Sequence, residues 1–178
     1  MAKVRKGISY SKKLERPYTR KSKYRAKSFV RASPRSKIIR FMGGNKQKSF
    51  TYRLDLIAKS DVQIRDISVE ASRQASNRYL EKTLGKTEFF SQIRIFPHHI
   101  LRENPLASGA GADRMSTGMK KSFGKAIGVA ARVKKGQVVY SLHIEEKHLV
   151  QGREALRKIS CKLPCSCSIL TEKNLIKA

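Results

Sequence analysis

The sequence predicts an α+β fold: a mixed or antiparallel sheet with two helices packed on one face, as a two-layer sandwich. Three observations carry that expectation. Short period-two runs of apolar residues recur along the chain, the mark of half-buried strands. Two stretches repeat their apolar residues at helical spacing. Turn chemistry at Gly43-Gly44-Asn45 and at Lys134-Lys135-Gly136-Gln137 closes strands between them.

Taken in order, Ile38 to Met42 reads as a strand that ends at Gly43. Phe50 to Ala58 is the best alternating run, with Phe50, Tyr52, Leu54 and Leu56 on one face and Thr51, Arg53 and Asp55 on the other. A helix follows, its apolar face formed by Ile67, Ala71, Ala75 and Tyr79 with Ile64 a turn earlier. Asp66 or Ser60-Asp61 caps its start and Gly85 closes its end. Phe89 to Phe96 is the next strand, marked as an edge by Pro97. Val129 to Val133 and Val138 to Ile144 are two more, joined by a turn. A second helix spans Glu145 to Ser160, with acids at its start, Arg157 and Lys158 near its end, and Leu149, Leu156 and Ile159 as its stripe. Pro164 stops it, and Ser166 to Leu170 is a last short strand.

The chain of 178 residues is long enough for one core. Its 40 Lys and Arg against 13 Asp and Glu give a net charge of +27. Residues 1–36 hold 13 of the bases and a single acid, Glu15. Their apolar residues are scattered and their aromatics stand among the cations, so this segment reads as an arm that orders against an anion. Residues 37–178 are expected to form a single domain. Residues 103–127 break both periods with Gly109, Gly111, Gly118 and Gly124, and with Gly128 at the edge. A connection so long inside a sheet is functional or disordered. With Arg102, Arg114, Lys120, Lys121 and Lys125 it reads as a protruding basic loop, with a short helix inside Asp113 to Ser122.

Several function classes fall away. The apolar runs are far shorter than the ~20 residues a bilayer needs, so no membrane partner is expected. No apolar run follows Met1-Ala2-Lys3-Val4-Arg5-Lys6, which is not read as a signal peptide. Cys161, Cys165 and Cys167 match no usual zinc spacing, and their odd number argues for reduced, structural thiols in the cytosol. Gly109-Ala110-Gly111-Ala112-Asp113-Arg114 has Arg where the dinucleotide fingerprint needs its third glycine, and Gly124-Lys125 is followed by Ala126 where the nucleotide P-loop needs Ser or Thr. His98 and His99 lie near Glu103 and Asp113, but neighbours on a strand face opposite ways and cannot serve one reaction centre. No catalytic residue, metal or cofactor is expected.

Nucleic acid is the remaining partner. Lys and Arg displace counterions from phosphates, and interleaved Tyr and Phe stack on unpaired bases. The positive excess runs through the folded part as well as the arm, so several surfaces face anions at once. No helix-turn-helix, zinc finger or basic zipper is visible, which favours structured RNA over DNA. A free-standing RNA-processing enzyme using His98 or His99 and a general nucleic-acid-packing protein are the alternatives.

At the loop the residues become recognisable. Pro97-His98-His99-Ile100-Leu101-Arg102-Glu103-Asn104, Gly109-Ala110-Gly111-Ala112-Asp113-Arg114, Gly118-Met119, Phe123-Gly124-Lys125 and Ala131-Arg132-Val133 resemble the universal large-subunit ribosomal protein sixteen family, in its archaeal and eukaryotic branch called ten-e. Pro17-Tyr18-Thr19-Arg20 and Asn77-Arg78-Tyr79-Leu80 add to the resemblance, and the arm is of archaeal type. It implies a structural, non-enzymatic place on large-subunit ribosomal RNA in the cytoplasmic ribosome, below the central protuberance and in the vicinity of 5S RNA. It implies tRNA and neighbouring ribosomal proteins as further partners, and no homo-oligomer. Candidate ribosomal-RNA contacts are Lys3, Arg5, Lys6, Arg16, Tyr18, Thr19, Arg20, Lys21, Arg25, Lys27 and Arg132. The loop, pointing toward the peptidyl-transferase centre, would bring Arg102, Asn104, Arg114, Lys120, Lys121 and Lys125 near tRNA.

Overall fold

A computed structural model of the chain describes residues 6–9, 23–107, 109–116 and 118–174. Its elements in order are β1 (Met42–Gly44), β2 (Tyr52–Ala58), β3 (Val62–Arg65), α1 (Asp66–Thr83), β4 (Phe89–Ile93), β5 (His99–Glu103), α2 (Ala112–Met115), β6 (Lys125–Val133), β7 (Val138–Ile144), α3 (Leu149–Ser160) and β8 (Cys167–Lys173). The fold is α+β, as expected, with two long helices. The strands, however, form two sheets and not one: five in the order β1-β4-β7-β2-β8 and three in the order β3-β6-β5. Every pairing is antiparallel.

The single sheet fails at two corners. A short turn between alternating runs reads as a hairpin, yet β2 passes to β3, and β6 to β7, by changing sheets. The two corners are bonded to each other. Gly136 N donates to Ala58 O (2.8 Å), Ala58 N to Gln137 O (3.0 Å), and Lys135 N to the Asp61 carboxylate (2.7 Å). Backbone groups that a hairpin would pair within itself are satisfied across the corner instead.

Local competition moves other boundaries. The strand expected from Ile38 begins only at Met42, because Lys37 N bonds to Asp66 Oδ2 (2.9 Å) and Ile38 N to Ser36 Oγ (3.1 Å). Ile38 still enters the core. The strand read as 89–96 stops at Ile93, and the last one runs on to Lys173. Of the helix expected over 145–160, Glu146–His148 is a 3-10 turn and the α-helix starts at Leu149.

The apolar face of α1 is displaced from the expected one, of which Tyr79 packs on the core and Ala75 is half-buried. Ile67 and Ala71 are exposed, and the buried line is Val69, Ser72, Ser76 and Leu80. Ile64 belongs to β3. Asp66 fixes the phase by accepting Ile67 N and Lys37 N at the first turn. Serines pass for surface residues in a sequence, but Ser72 Oγ donates to Val69 O (2.7 Å) and so enters the interior satisfied. The end is as expected: Gly85, at φ +83°, donates to Glu81 O (3.2 Å).

The main core lies between the long helices and the five-stranded sheet, around Leu54, Phe89, Leu142, Ile144, Leu80, Leu156 and Ile159. Helix α3 sits so close that a Cβ on Gly152 would fall 2.3 Å from Ile144 Cδ1 and 2.6 Å from Leu54 Cδ1. A second cluster is small: Val30, Ile100 and Val129, with Ala126 beside it. It joins the segment before β1 to the three-stranded sheet, so Val30 is not an isolated apolar residue of the arm.

Candidate nucleic-acid interface

The three-stranded sheet carries the long connection. Strand β5 was not foreseen, because its run His99–Glu103 holds only Ile100 and Leu101 as apolar residues. With β6 starting at Lys125, the connection is 104–124 rather than 103–127. Its base is tied in three ways. The Arg102 guanidinium lies 3.8 Å from the centroid of the Phe123 ring, and its Nη1 donates to Phe123 O (2.6 Å). Asn104 Nδ2 donates to Gly118 O (3.1 Å). Gly124, at φ +76°, presses on the Glu103 backbone, and a Cβ there would lie 2.6 Å from Glu103 C. A side chain there would be strained by the φ and would have to displace the Glu103 backbone.

Two of the six loop candidates, Arg102 and Asn104, therefore hold the loop to itself. Lys125 is exposed at its foot, opposite Glu103 in register. Arg114, on α2, and Lys120, in the 3-10 turn Gly118–Lys121, are exposed farther out, and Lys121 belongs to that turn by its backbone. The same segment exposes apolar side chains that the sequence reading missed: Leu106, Met115 at 85%, Met119 at 71% and Phe123. Bare apolar groups of this size mark a contact surface.

The arm is described in part. Lys3, Arg5, Arg16, Tyr18, Thr19, Arg20 and Lys21 lie outside the described residues. Lys6 is exposed, with its carbonyl accepting Gln63 Nε2 (3.2 Å), while Gly7 O accepts Gln63 N (2.7 Å). This turn of residues 6–9 is thus seated on β3. Arg25 and Lys27 are exposed in a 3-10 turn beside Tyr24, over whose ring Lys23 and Lys27 place their ammonium groups at 5.5 and 5.8 Å. Arg132 lies on β6 across from Gln63, half-buried and close enough to influence His99.

A further cationic surface went unread. The outer face of α1 and its exit form an open hollow of about 720 Å³ lined by Arg73, Asn77, Arg78, Lys82 and Lys86, among others. Its signal was available in the spacing Arg78, Lys82, Lys86. Arg73 is held by Glu70, to which Nε and Nη2 both donate (2.9 and 2.6 Å), and this keeps the Glu70 carboxyl below its usual range.

Acids meet these surfaces at Glu70, which holds Arg73, at Glu81 in the same hollow, and at Glu103 opposite Lys125. Several other acids serve internal ties. Arg53 bridges buried Asp55 and Glu172; Asp61 and Asp66 accept backbone N–H groups; Glu88 holds Lys48 at 2.8 Å; Glu145 accepts Thr51 Oγ1.

The histidines do not build a reaction centre. His98 is exposed and His99 buried, on opposite faces as expected. Burial, helped by Arg132, His98 and Arg102, pushes the His99 imidazole down to about 4, so it is neutral near pH 7. Among the described residues no group of three or more His, Cys, Asp or Glu is placed to hold a metal, and no helix is long and apolar enough to cross a membrane.

An α+β body with a tied cationic loop, further basic faces and several acids committed to internal bonds defines a structural class of protein whose surface is made for a polyanion. The family model of ribosomal protein L16p/L10e matches residues 14–170. Proteins named large ribosomal subunit protein uL16 are 44% identical over 155 residues in Methanococcus maripaludis (87% of this chain, 90% of that protein). Those of Archaeoglobus fulgidus and Staphylothermus marinus are 41% identical over 170 residues (96% and 94%) and 40% over 154 residues (86% and 85%). The chain belongs to the ribosomal protein L16p/L10e family, in its archaeal type. Membership makes it a structural protein of translation, in the large subunit of the cytoplasmic ribosome, and not an enzyme.

Proposed function

We propose that this protein binds large-subunit ribosomal RNA through its arm, its 23–27 turn and its basic faces, and that the 104–124 connection helps to position tRNA near the peptidyl-transferase centre. Residues 1–36 act as the arm and residues 37–178 as one RNA-binding domain. The vicinity of 5S RNA and neighbouring ribosomal proteins complete the surroundings, and the protein works as a single copy. The observation that carries the reading is the tied loop. Arg102, Asn104 and Gly124 fix its foot, so Arg114, Lys120 and Lys125 are presented by a frame instead of a slack chain. The resemblance of residues 97–133 supports tRNA as the partner of that end.

Salt titration tests the RNA part. Contact with ~6–10 phosphates lowers affinity about 10³–10⁵-fold between 50 and 200 mM salt. Arg114→Ala and Lys120→Ala should each reduce the slope of log K against log salt by about 1 while the melting temperature holds. For the tRNA part, large subunits carrying both changes should lose protection of the tRNA acceptor arm in footprinting. An affinity for ribosomal RNA that ignores salt, or unchanged footprints in the double variant, would overturn the corresponding half.

A further inference from the structure

Two cysteines take no part in the surfaces above, although Cys-x-Cys side chains are brought together. Cys165 ends the turn after α3, and Cys167 opens β8, an outer strand of the five-stranded sheet. Cys165 lies in the bend before the strand, separated from Cys167 by Ser166 alone. Their sulfurs are 3.7 Å apart, and the Cys167 thiol also donates to Cys165 O (3.7 Å). Both residues are half-buried and both thiols are free. Cys161, on the other side of Pro164, is exposed and outside this pair. Closing a disulfide bond of ~2.0 Å requires the sulfurs to approach by only about 1.7 Å.

We propose that Cys165 and Cys167 form a dithiol modification site, which a hydroperoxide oxidises to an intrachain disulfide with Cys167 as the attacking sulfur. The surroundings select Cys167. The hydrogen bond shared with Cys165 leads the effects that bring its thiol down to about 7, with Ser160 and Lys59 acting the same way against burial. The Cys165 thiol moves up, through that same hydrogen bond and burial. Near neutral pH Cys167 therefore supplies thiolate from about half of the molecules while Cys165 keeps its proton.

In the first step the Cys167 thiolate attacks the outer oxygen of the hydroperoxide. An S–O bond forms, the O–O bond breaks, and the alkoxide, or hydroxide from hydrogen peroxide, leaves and takes up a proton. In the second step Cys165 sulfur attacks Cys167 sulfur. The S–S bond forms, the S–O bond breaks, and hydroxide departs with the Cys165 proton as water. Each sulfur loses one electron and the peroxide gains two. Two thiols and one hydroperoxide give a disulfide, an alcohol or water, and water. The site is independent of the RNA-binding reading, since neither sulfur belongs to the loop or to the described cationic surfaces.

The full chain makes the test direct. Trypsin cuts after Lys162, so peptide 163–173 carries both members of the pair and peptide 159–162 carries Cys161 alone. Native protein treated with limiting hydrogen peroxide, then alkylated and digested, should give peptide 163–173 lighter by the two thiol hydrogens and closed to alkylation. Peptide 159–162 should remain alkylated. At pH 7 a thiol at about 7 is about half thiolate, against about 3% for an ordinary one; corrected for weaker nucleophilicity, Cys167 should react with iodoacetamide about threefold faster than an ordinary thiol. Cys161→Ser should leave closure intact, and Cys165→Ala should stop at a sulfenic acid on Cys167 that dimedone traps. Oxidation of Cys161 ahead of the pair, or conversion of Cys165 and Cys167 to separate sulfinic acids in the native wild-type chain, would overturn the proposal.

Discussion

The two sheets of this protein are stabilised differently. The five-stranded sheet rests on a continuous core under α1 and α3, and charges on it are closed within the fold, as where Arg53 of β2 meets Asp55 on its own strand and Glu172 on β8. The three-stranded sheet shares that core through Val62, Ile64, Ala131 and Val133, but among the described residues its other cluster is the small one of Val30, Ile100 and Val129. Beyond it lie a loop with bare methionines and cations with few acids to meet them. One half has the means of an ordinary globular protein. The other presents cations and bare apolar groups, the surface that the proposed RNA partner would cover.

The largest effects should break the first half. Phe89 is fully buried, and Phe89→Ala should cost about 3–5 kcal/mol, enough to threaten a marginally stable fold. Ile100→Ala, where neighbours can collapse inward, should cost about 2 kcal/mol, at the low end for such truncations. Urea unfolding of both variants measures the difference. Equal losses would mean that the two clusters act as one core.

A pH scan separates the halves further. His99 on β5 has its folded-state value lowered to about 4 from 6.5. Between those values the unfolded chain binds more protons than the folded one, so stability is full above about 6.5 and falls as pH drops toward 4. The slope is about 1.4 kcal/mol per pH unit at its steepest, and the loss reaches at most roughly 3 kcal/mol. Burial lowers His143 on β7 in the same direction. His99→Gln should therefore flatten the melting temperature against pH in part. A profile unchanged by the substitution would move the whole dependence to the larger sheet.

What the sequence disclosed follows the same division. Strands of the large sheet alternate cleanly because one face meets a thick core, and Phe50 to Ala58 was legible for that reason. Even there Asp55 is buried, since β2 is central and Arg53 neutralises it. The small sheet hid β3 in an apparent helix and β5 in a loop, because short strands leave too few alternations to read. The α1 face was hidden because Ser72 and Ser76, both buried, look polar in a sequence. Arg114, Lys120 and Lys125 were found through charge and the glycine-rich motif. The groove at Arg78, Lys82 and Lys86 was not, because a basic line on a helix resembles any solvated face.

Gly124→Ala sharpens the comparison at the junction of sheet and loop. The substitution sets a side chain at φ +76° against the Glu103 backbone. It should cost about 1–3 kcal/mol, confined to the Arg102–Ala126 and Glu103–Lys125 pairing. Hydrogen exchange should rise at those amides and stay unchanged in β2 and β7. Exchange rising through β7 would mean that the loop foot and the large sheet open together.

The smallest effect tests whether Arg102 is a tie or a contact. Its stack on Phe123 contributes about 0.5–1 kcal/mol at an exposed site, and its bond to Phe123 O about as much. Arg102→Lys keeps the charge and loses the planar fork, whereas Arg102→Ala loses both. If the guanidinium is a tie, both variants should loosen the loop alike, with faster proteolysis within residues 104–124 and little change in melting temperature. If it also reaches a phosphate, only Arg102→Ala should lower the salt slope by about 1. A lysine variant with a loop as protected as the wild type would remove the tie and leave Asn104 and Gly124 to hold the foot, because a point charge without the fork cannot replace a stacked, hydrogen-bonded guanidinium.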